Sequence, residues 1–385
     1  MSRGADHGLN ALLDDLAGLD AADLPGRLEV AAESAGMSEV GIYLADLQEQ
    51  ALVPWPAPPG AEPMGIDASL PGLVFRRGIA SPDGSGRWWF PLGDGHQRMG
   101  VVSVVLGSEE AEAVRAGSHL AALAGLLVVS RSAYCDDIER ARRLRPLSLA
   151  AELRWATMPP RVMASPRVTV AGVLEPAYEI AGDSFDYALD QDRLRVAVFD
   201  AMGHGLDASR LVTLAITSYR HSRRSGLDLA ATYRAMDEVV AGTLGEGVFV
   251  TGHMAELDTS SGRLSVLNAG HPHPLLIRGG TAHELAFPPA TPVGLGFVEA
   301  EVGEVRLQPG DAVVVLSDGV IEARSAGGDI FGVERVGDLA VRALAGGETI
   351  PETVRRLIGS VLEHRGVSLE DDATLLLFSW NPTQH

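Results

Sequence analysis

Apolar residues recur along this chain with two different spacings, and the change of spacing divides it. Between residues 8 and 35, Leu9, Leu12, Leu13 and Leu16, then Leu28, Val30 and Ala31, follow a helical period. Short strand-like runs come next, at Val40–Leu44, Ala51–Pro54, Arg87–Pro91 and Met99–Leu106. The loops Pro54–Pro63 and Ser81–Gly86, rich in proline or glycine, separate them. Leu120–Val129 is the longest strongly apolar run. It falls short of the roughly 20 residues a bilayer crossing needs, so it reads as a buried helix. Residues 109–158 read as helices. Glu109–Glu112 supply acids for a first turn, and Asp136–Arg145 runs from acidic to basic. Pro146 interrupts, and a second helix is expected over Leu147–Met158, with Leu149, Leu153 and Thr157 on one face.

From residue 166 the pattern turns to strands: Val168–Leu174, Leu194–Phe199, His253–Leu257, Arg263–Asn268, Pro274–Arg278, Ala312–Leu316 and Ala373–Ser379. Helical stretches fall between them at Ala208–His221, Asp228–Thr243, Val333–Ala345 and Ile350–Arg365. The expected class is α+β. A compact module covers 1–130, a helical linker 131–165, and a β-rich layered domain 166–385.

Composition narrows the function. A net charge of −20 argues against a nucleic-acid or anionic-membrane partner, since both require a basic surface. Cys135 is the only cysteine, so no disulfide and no cysteine-based zinc site is available. Met1–Asn10 has no apolar signal core. A cytoplasmic location is expected.

Four acidic motifs then stand out. They are Ala181-Gly182-Asp183-Ser184-Phe185-Asp186, Asp200-Ala201-Met202-Gly203-His204-Gly205, Ser317-Asp318-Gly319 and Asp371-Asp372-Ala373-Thr374. An Asp-Gly after a strand is, taken singly, an ordinary turn. Four such sites abutting apolar runs form a set of hard oxygen donors suited to Mg²⁺ or Mn²⁺. Small residues after Asp200 and Asp318 let the backbone turn tightly and approach a ligand.

In this order the motifs resemble the stage II sporulation protein E type of serine phosphatase, a branch of the metal-dependent PPM (type 2C) phosphatases. Glu152–Pro160, Val250–Asp258, Asn268-Ala269-Gly270-His271-Pro272, Thr291–Gly296 and Leu307–Asp311 add to the likeness, which covers roughly 150–380. The resemblance implies a β-sandwich flanked by helices, with two Mn²⁺ or Mg²⁺ ions at one edge. It implies that Asp200 bridges the ions, that Ala201 offers its carbonyl oxygen, and that Asp318 holds one ion together with Asp371 or its neighbour Asp372. Asp183 would act directly or through water. The implied reaction is hydrolysis of a phosphoserine or phosphothreonine by a metal-activated water. The implied substrate is a phosphorylated STAS-type anti-sigma factor antagonist.

Two departures bear on mechanism. Ala181 replaces the first glycine of the usual Gly-Gly-Asp. Met202 and Tyr178 stand where the wider type 2C branch has a histidine acid and a phosphate-gripping arginine. Leaving-group protonation then falls to a metal-bound water or to His204. His271 and His273 read as part of a turn capped by Asn268, and Trp88-Trp89-Phe90 as core.

Residues 25–107 resemble a GAF domain through Gly41-Ile42-Tyr43-Leu44, Leu70–Gly78 and Arg87–Leu106. That likeness implies a dimerising sensor of a small molecule, hence a homodimer regulated through its N-terminal part. Two other readings use the same residues: a non-catalytic, ligand-gated scaffold in partner switching, and a metal-dependent hydrolase of a small phosphate.

Overall fold

In the computed structural model the described residues are 19–58, 60–108, 110–179, 182–244, 247–296, 300–366 and 371–382. Residues 8–18 of the helical stretch expected over 8–35, Glu109 and Ala181 lie outside them. The chain divides into two compact units at Pro146/Leu147. The segment expected as a linker, 131–165, is thereby split between them.

In the first unit, helix α1 (Leu24–Ser34) carries a proline in its first turn and buries Leu24, Leu28, Ala31 and Ala32. Val30 is 63% exposed, so the expected apolar face is narrower than its sequence suggested. Strands β1 (Met37–Ala45), β2 (Ala51–Trp55) and β3 (Met64–Gly65) follow, then α2 (Leu70–Arg77). Ser69 caps α2 by accepting the Gly72 N–H, and Gly78 ends it in the left-handed region. Strands β4 (Ser81–Pro82), β5 (Arg87–Gly93) and β6 (Arg98–Leu106) complete an antiparallel sheet of order β3-β2-β1-β6-β5-β4. Helices α3 (Ala111–Ser132) and α4 (Asp136–Ala141) join α1 on one face, over Phe90, Leu92 and Val102. On the other face α2 packs on Trp89 and Val101. Trp89 and Phe90 are therefore core residues, as read. The apolar run Leu120–Val129 belongs to a helix of 22 residues, long and apolar enough by length and composition alone to cross a membrane. The expectation that it is too short does not hold. Within this unit, Leu120, Ala121, Ala124, Leu127 and Val128 lie in the core.

The second unit opens with α5 (Leu149–Thr157), capped by the Ser148 hydroxyl. Its buried face is Ala150, Ala151 and Arg154, whereas Leu149 is exposed. The strands β7 (Val162–Ala164), β8 (Val168–Glu175), β9 (Asp183–Asp190) and β10 (Arg193–Ala201) lead to helices α6 (Gly205–Arg224) and α7 (Leu229–Leu244). Strands β11 (Val250–Asp258), β12 (Arg263–Ala269), β13 (Leu275–Arg278), β14 (Thr281–Glu284), β15 (Gly303–Arg306) and β16 (Ala312–Leu316) follow. A single turn, α8 (Asp318–Ile321), precedes α9 (Val333–Ala345), α10 (Ile350–Arg365) and β17 (Ala373–Trp380).

Two antiparallel sheets result, β15-β12-β11-β10-β9 and β14-β13-β16-β17-β8-β7. Side chains alternate along each strand, so each sheet feeds two apolar layers. Val196, Val198, Phe185 and Leu257 of the first sheet meet Val170, Val313, Leu376 and Phe378 of the second. Outside the first sheet, Phe199 and Met254 pack against Val212, Ile216 and Tyr233 of α6 and α7. Outside the second, Leu375 and Leu377 pack against Val336 of α9 and Leu357 of α10. The expected helix-flanked β-sandwich is thus present. Strand β9 was not expected, because carboxylates occupy both of its faces. Phe185 reaches its place only because Gly172 on β8 has no side chain: a Cβ there would lie 2.6 Å from the Phe185 ring. Gly172→Ala is expected to cost about 1–3 kcal/mol by overpacking, measured as a lower urea midpoint for this unit.

Candidate active site

The four acidic motifs end on one edge of the sandwich because of how the strands are registered. Asp183 opens β9 and pairs directly with Asp200 near the end of β10. Residues 183, 185 and 187 face the other sheet, and so do 196, 198 and 200. On that other sheet, Leu316 at the end of β16 pairs with Leu375 of β17. Asp318 follows the first of these strands and Asp371 precedes the second, so both stand at the same end.

Hydrogen bonds join the two sheets there. The Thr374 hydroxyl donates to Asp183 Oδ2 at 2.6 Å. The Thr374 N–H donates to Ser317 Oγ at 2.9 Å, and Ser317 N–H to the Thr374 carbonyl at 3.0 Å. Asp372 Oδ2 accepts the N–H of Gly182 at 2.7 Å and of Asp183 at 3.2 Å. Asp371 Oδ1 accepts the Asp372 N–H at 2.9 Å. The pair left open by the sequence is thereby differentiated. Asp372 is buried and turned toward backbone amides, while Asp371 is exposed.

Glycines set how closely the backbone approaches. A Cβ on Gly182 would lie 2.8 Å from the Ala201 carbonyl oxygen and 3.6 Å from Asp200 Oδ1. A Cβ on Gly319 would lie 1.9 Å from the Asp372 carbonyl oxygen. Gly182 and Gly319 are therefore steric requirements, whereas Gly203 and Gly205 meet nothing within 4 Å and are set apart by positive φ, +93° and +69°.

The electrostatics are those of crowded anions. Burial, then Asp200 and Asp372, push Asp183 well above the usual carboxylate range. Burial, then Asp318, Asp371 and Asp372, push Asp200 up to about 7. Burial, then Asp371 and Glu322, raise Asp318. The charges acting on these three are themselves carboxylates. Among the described residues no three His, Cys, Asp or Glu side chains close around one metal-sized point. The fit to a cation therefore rests on donor chemistry and shared electrostatics and not on a closed cage. A donor set made of oxygen atoms suits a hard divalent ion.

Other expected residues fall outside this cluster or take structural parts. His204 is exposed and precedes α6 without a side-chain capping bond. Met202 is 42% exposed, and Tyr178 is buried and so cannot present itself to a phosphate. Asn268 accepts the His271 N–H at 2.8 Å and donates to the His271 carbonyl at 3.0 Å, holding the expected turn. Asp186 points to the opposite face, where Arg220 and Arg223 of α6 neutralise it at 2.8 and 3.0 Å. Ser317 and Thr374 were not singled out from the sequence, although both lie inside the motifs.

A two-sheet sandwich between helix layers, with aspartates gathered at one end, defines a PP2C-type protein phosphatase domain. Residues 190–381 match the Stage II sporulation protein E (SpoIIE) family, and the C-terminal unit of this chain is a phosphatase domain of that family. The chain is 20% identical over 236 residues to the phosphoserine phosphatase RsbU of Bacillus subtilis, covering 60% of this chain and 69% of that protein. It is 23% identical over 277 residues to protein IcfG of Synechocystis, covering 62% of this chain and 41% of the relative. A solved structure of the RsbU and RsbW domains of a Mycobacterium tuberculosis protein superposes with a TM-score of 0.51 at 26% identity, over 57% of this chain and 62% of that one. The chain thus spans less than two thirds of IcfG and of that solved chain.

The crowding has a measurable sign. A carboxyl whose folded pKa is raised adds stability that is complete below its unfolded pKa and lost as pH rises through the folded value. For Asp200 that window runs from about 4 to about 7. In chelator-treated protein, Asp200→Asn is expected to raise the melting temperature more at pH 8 than at pH 5. An equal shift at both values would contradict the crowding.

Proposed function

We propose that this chain is a Mn²⁺- or Mg²⁺-dependent protein serine/threonine phosphatase. The observation that carries the reading is the set of aspartates, drawn from four separate segments, whose charged neighbours are one another. In this reading Asp200 would hold both ions and the Ala201 carbonyl one of them, Asp318 and Asp371 would hold one, and Asp183 would contribute directly or through water. The ions when bound supply an activated water and neutralise the phosphoryl oxygens. Thr374 and Ser317 keep Asp183 oriented, and Asp372 fixes the Gly182–Asp183 amides beneath the Ala201 carbonyl. His204 is the side chain assigned to proton delivery. Its exposure lets water substitute, so its removal should cost less than the loss of any ligand.

The substrate in this proposal is a phosphorylated STAS-type anti-sigma factor antagonist. The likeness to a phosphoserine phosphatase and to a protein joining RsbU and RsbW domains supports it. We read the first unit as a GAF-like sensor acting in a cytoplasmic homodimer. A cavity of about 410 Å³, lined by residues including Phe75, Phe90, Leu92, His96 and Arg98, supports a small-molecule ligand there.

The test compares wild type, Asp200→Asn and Asp318→Asn on p-nitrophenyl phosphate and on a phosphoserine STAS protein, with Mn²⁺. Each substitution is expected to lower kcat/KM about 10²–10³-fold, and Thr374→Ala about tenfold. Wild type inactive on both substrates would point to a scaffold. Activity unchanged by either aspartate substitution would remove the metal assignment.

A further inference from the structure

One short segment beside the acidic edge is held far more firmly than a surface loop requires. Asp237 of α7 is buried, and its Oδ1 accepts the N–H of Gly294 at 2.6 Å and of Gly296 at 3.2 Å. One turn earlier on the same helix, the Tyr233 hydroxyl donates to the Thr291 carbonyl at 2.7 Å. Val293 exchanges both of its backbone hydrogen bonds with Val250, each 2.9 Å. Gly294 has φ +105°, and a Cβ there would lie 2.6 Å from the Val248 carbonyl oxygen. A buried carboxylate is costly unless its charge is met by donors, and here the donors are the amides of this loop.

The position of the loop explains what this rigidity achieves. Ala201 pairs with Val250, and Val250 bridges to Val293. Two strand spacings separate Ala201 from Val293, about 10 Å. Leu295 lies between the two anchored glycines with 42% of its surface exposed. Met202, equally exposed, donates its N–H to the Phe249 carbonyl at 3.2 Å and borders the same side. An extended peptide advances about 3.3 Å per residue. With a phosphoserine at Asp200, a residue about three positions away along the substrate would come level with Val293, two residues before the exposed Leu295. A small phosphate ester would not.

We propose that Asp237 is a positioning residue that fixes loop 291–296 as a ledge, and that Leu295 with Met202 receives an apolar side chain about three residues from the phosphoserine of a protein substrate. The proposal rests on the phosphatase reading above and adds to it a determinant of substrate choice.

The experiment measures kcat and KM, with Mn²⁺, on p-nitrophenyl phosphate and on two phosphoserine dodecapeptides. The peptides are identical except for Leu or Ser at the third positions on both sides of the phosphoserine. Wild type is expected to prefer the Leu peptide about tenfold, mainly through KM. Leu295→Ser, on the surface, and Asp237→Ala should bring that ratio near one. Asp237→Asn, which keeps an acceptor for both amides, should restore it. Equal use of the two peptides by wild type, or a parallel loss on all three substrates in the variants, would overturn the proposal. Inactivity of wild type on all three would instead remove the phosphatase reading itself, and the ledge with it.

Discussion

The acidic end of the sandwich depends on hydrogen bonds that pass from one sheet to the other. Thr374 holds Asp183 and Asp372 holds the amides of Gly182 and Asp183, while within the second sheet Ser317 holds Thr374. Within the core the sheets meet through apolar contacts, which set no orientation, and the links from Trp380 to the Thr259 carbonyl and from Arg278 to the Arg306 carbonyl lie at the other end of the strands. At the acidic end, a carboxylate on one sheet is fixed by a hydroxyl on the other, and the backbone of the first motif is seated on the fourth. The site is therefore built across the core and not on either sheet alone.

The same bonds offset a cost. Asp183 is buried among like charges, which raise its proton affinity, and the hydroxyls of Thr374 and Ser317 oppose that effect. The arrangement keeps carboxylates together where repulsion would separate them. Elsewhere in the domain two buried acids are met by arginines. Asp311 pairs with Arg278, and Glu352 with Arg355.

Much of this was legible in the sequence. Strands of the second sheet carry continuous apolar runs, such as Ala312–Leu316 and Leu375–Phe378, because both faces are covered, and their ends put Asp318 and Asp371 in view. The order of the four motifs carried the family likeness. Strand β9 was hidden because Asp183 and Asp186 break the apolar alternation that marks a strand, and each is satisfied by a partner distant in sequence. The exposure of Leu149 and burial of Arg154 were hidden for a related reason. A short helix between alanine-rich neighbours can turn its small residues inward, and periodicity alone does not say which side faces the core. Ser317 and Thr374 gave no separate signal, because their role exists only once the two sheets are stacked.

The first motif carries two aspartates that the strand turns to opposite faces. Asp183 looks into the edge where the acids gather, and Asp186 looks outward, where Arg220 also reaches the Thr157 carbonyl at the end of α5 at 2.6 Å. A run of six letters that reads as one signature is thus two instruments laid side by side. One faces the acidic edge and the other clamps the helix layer to the sheet. Two lineages could preserve the signature for different reasons, and a chain that lost its activity could keep Asp186 long after Asp183 had drifted.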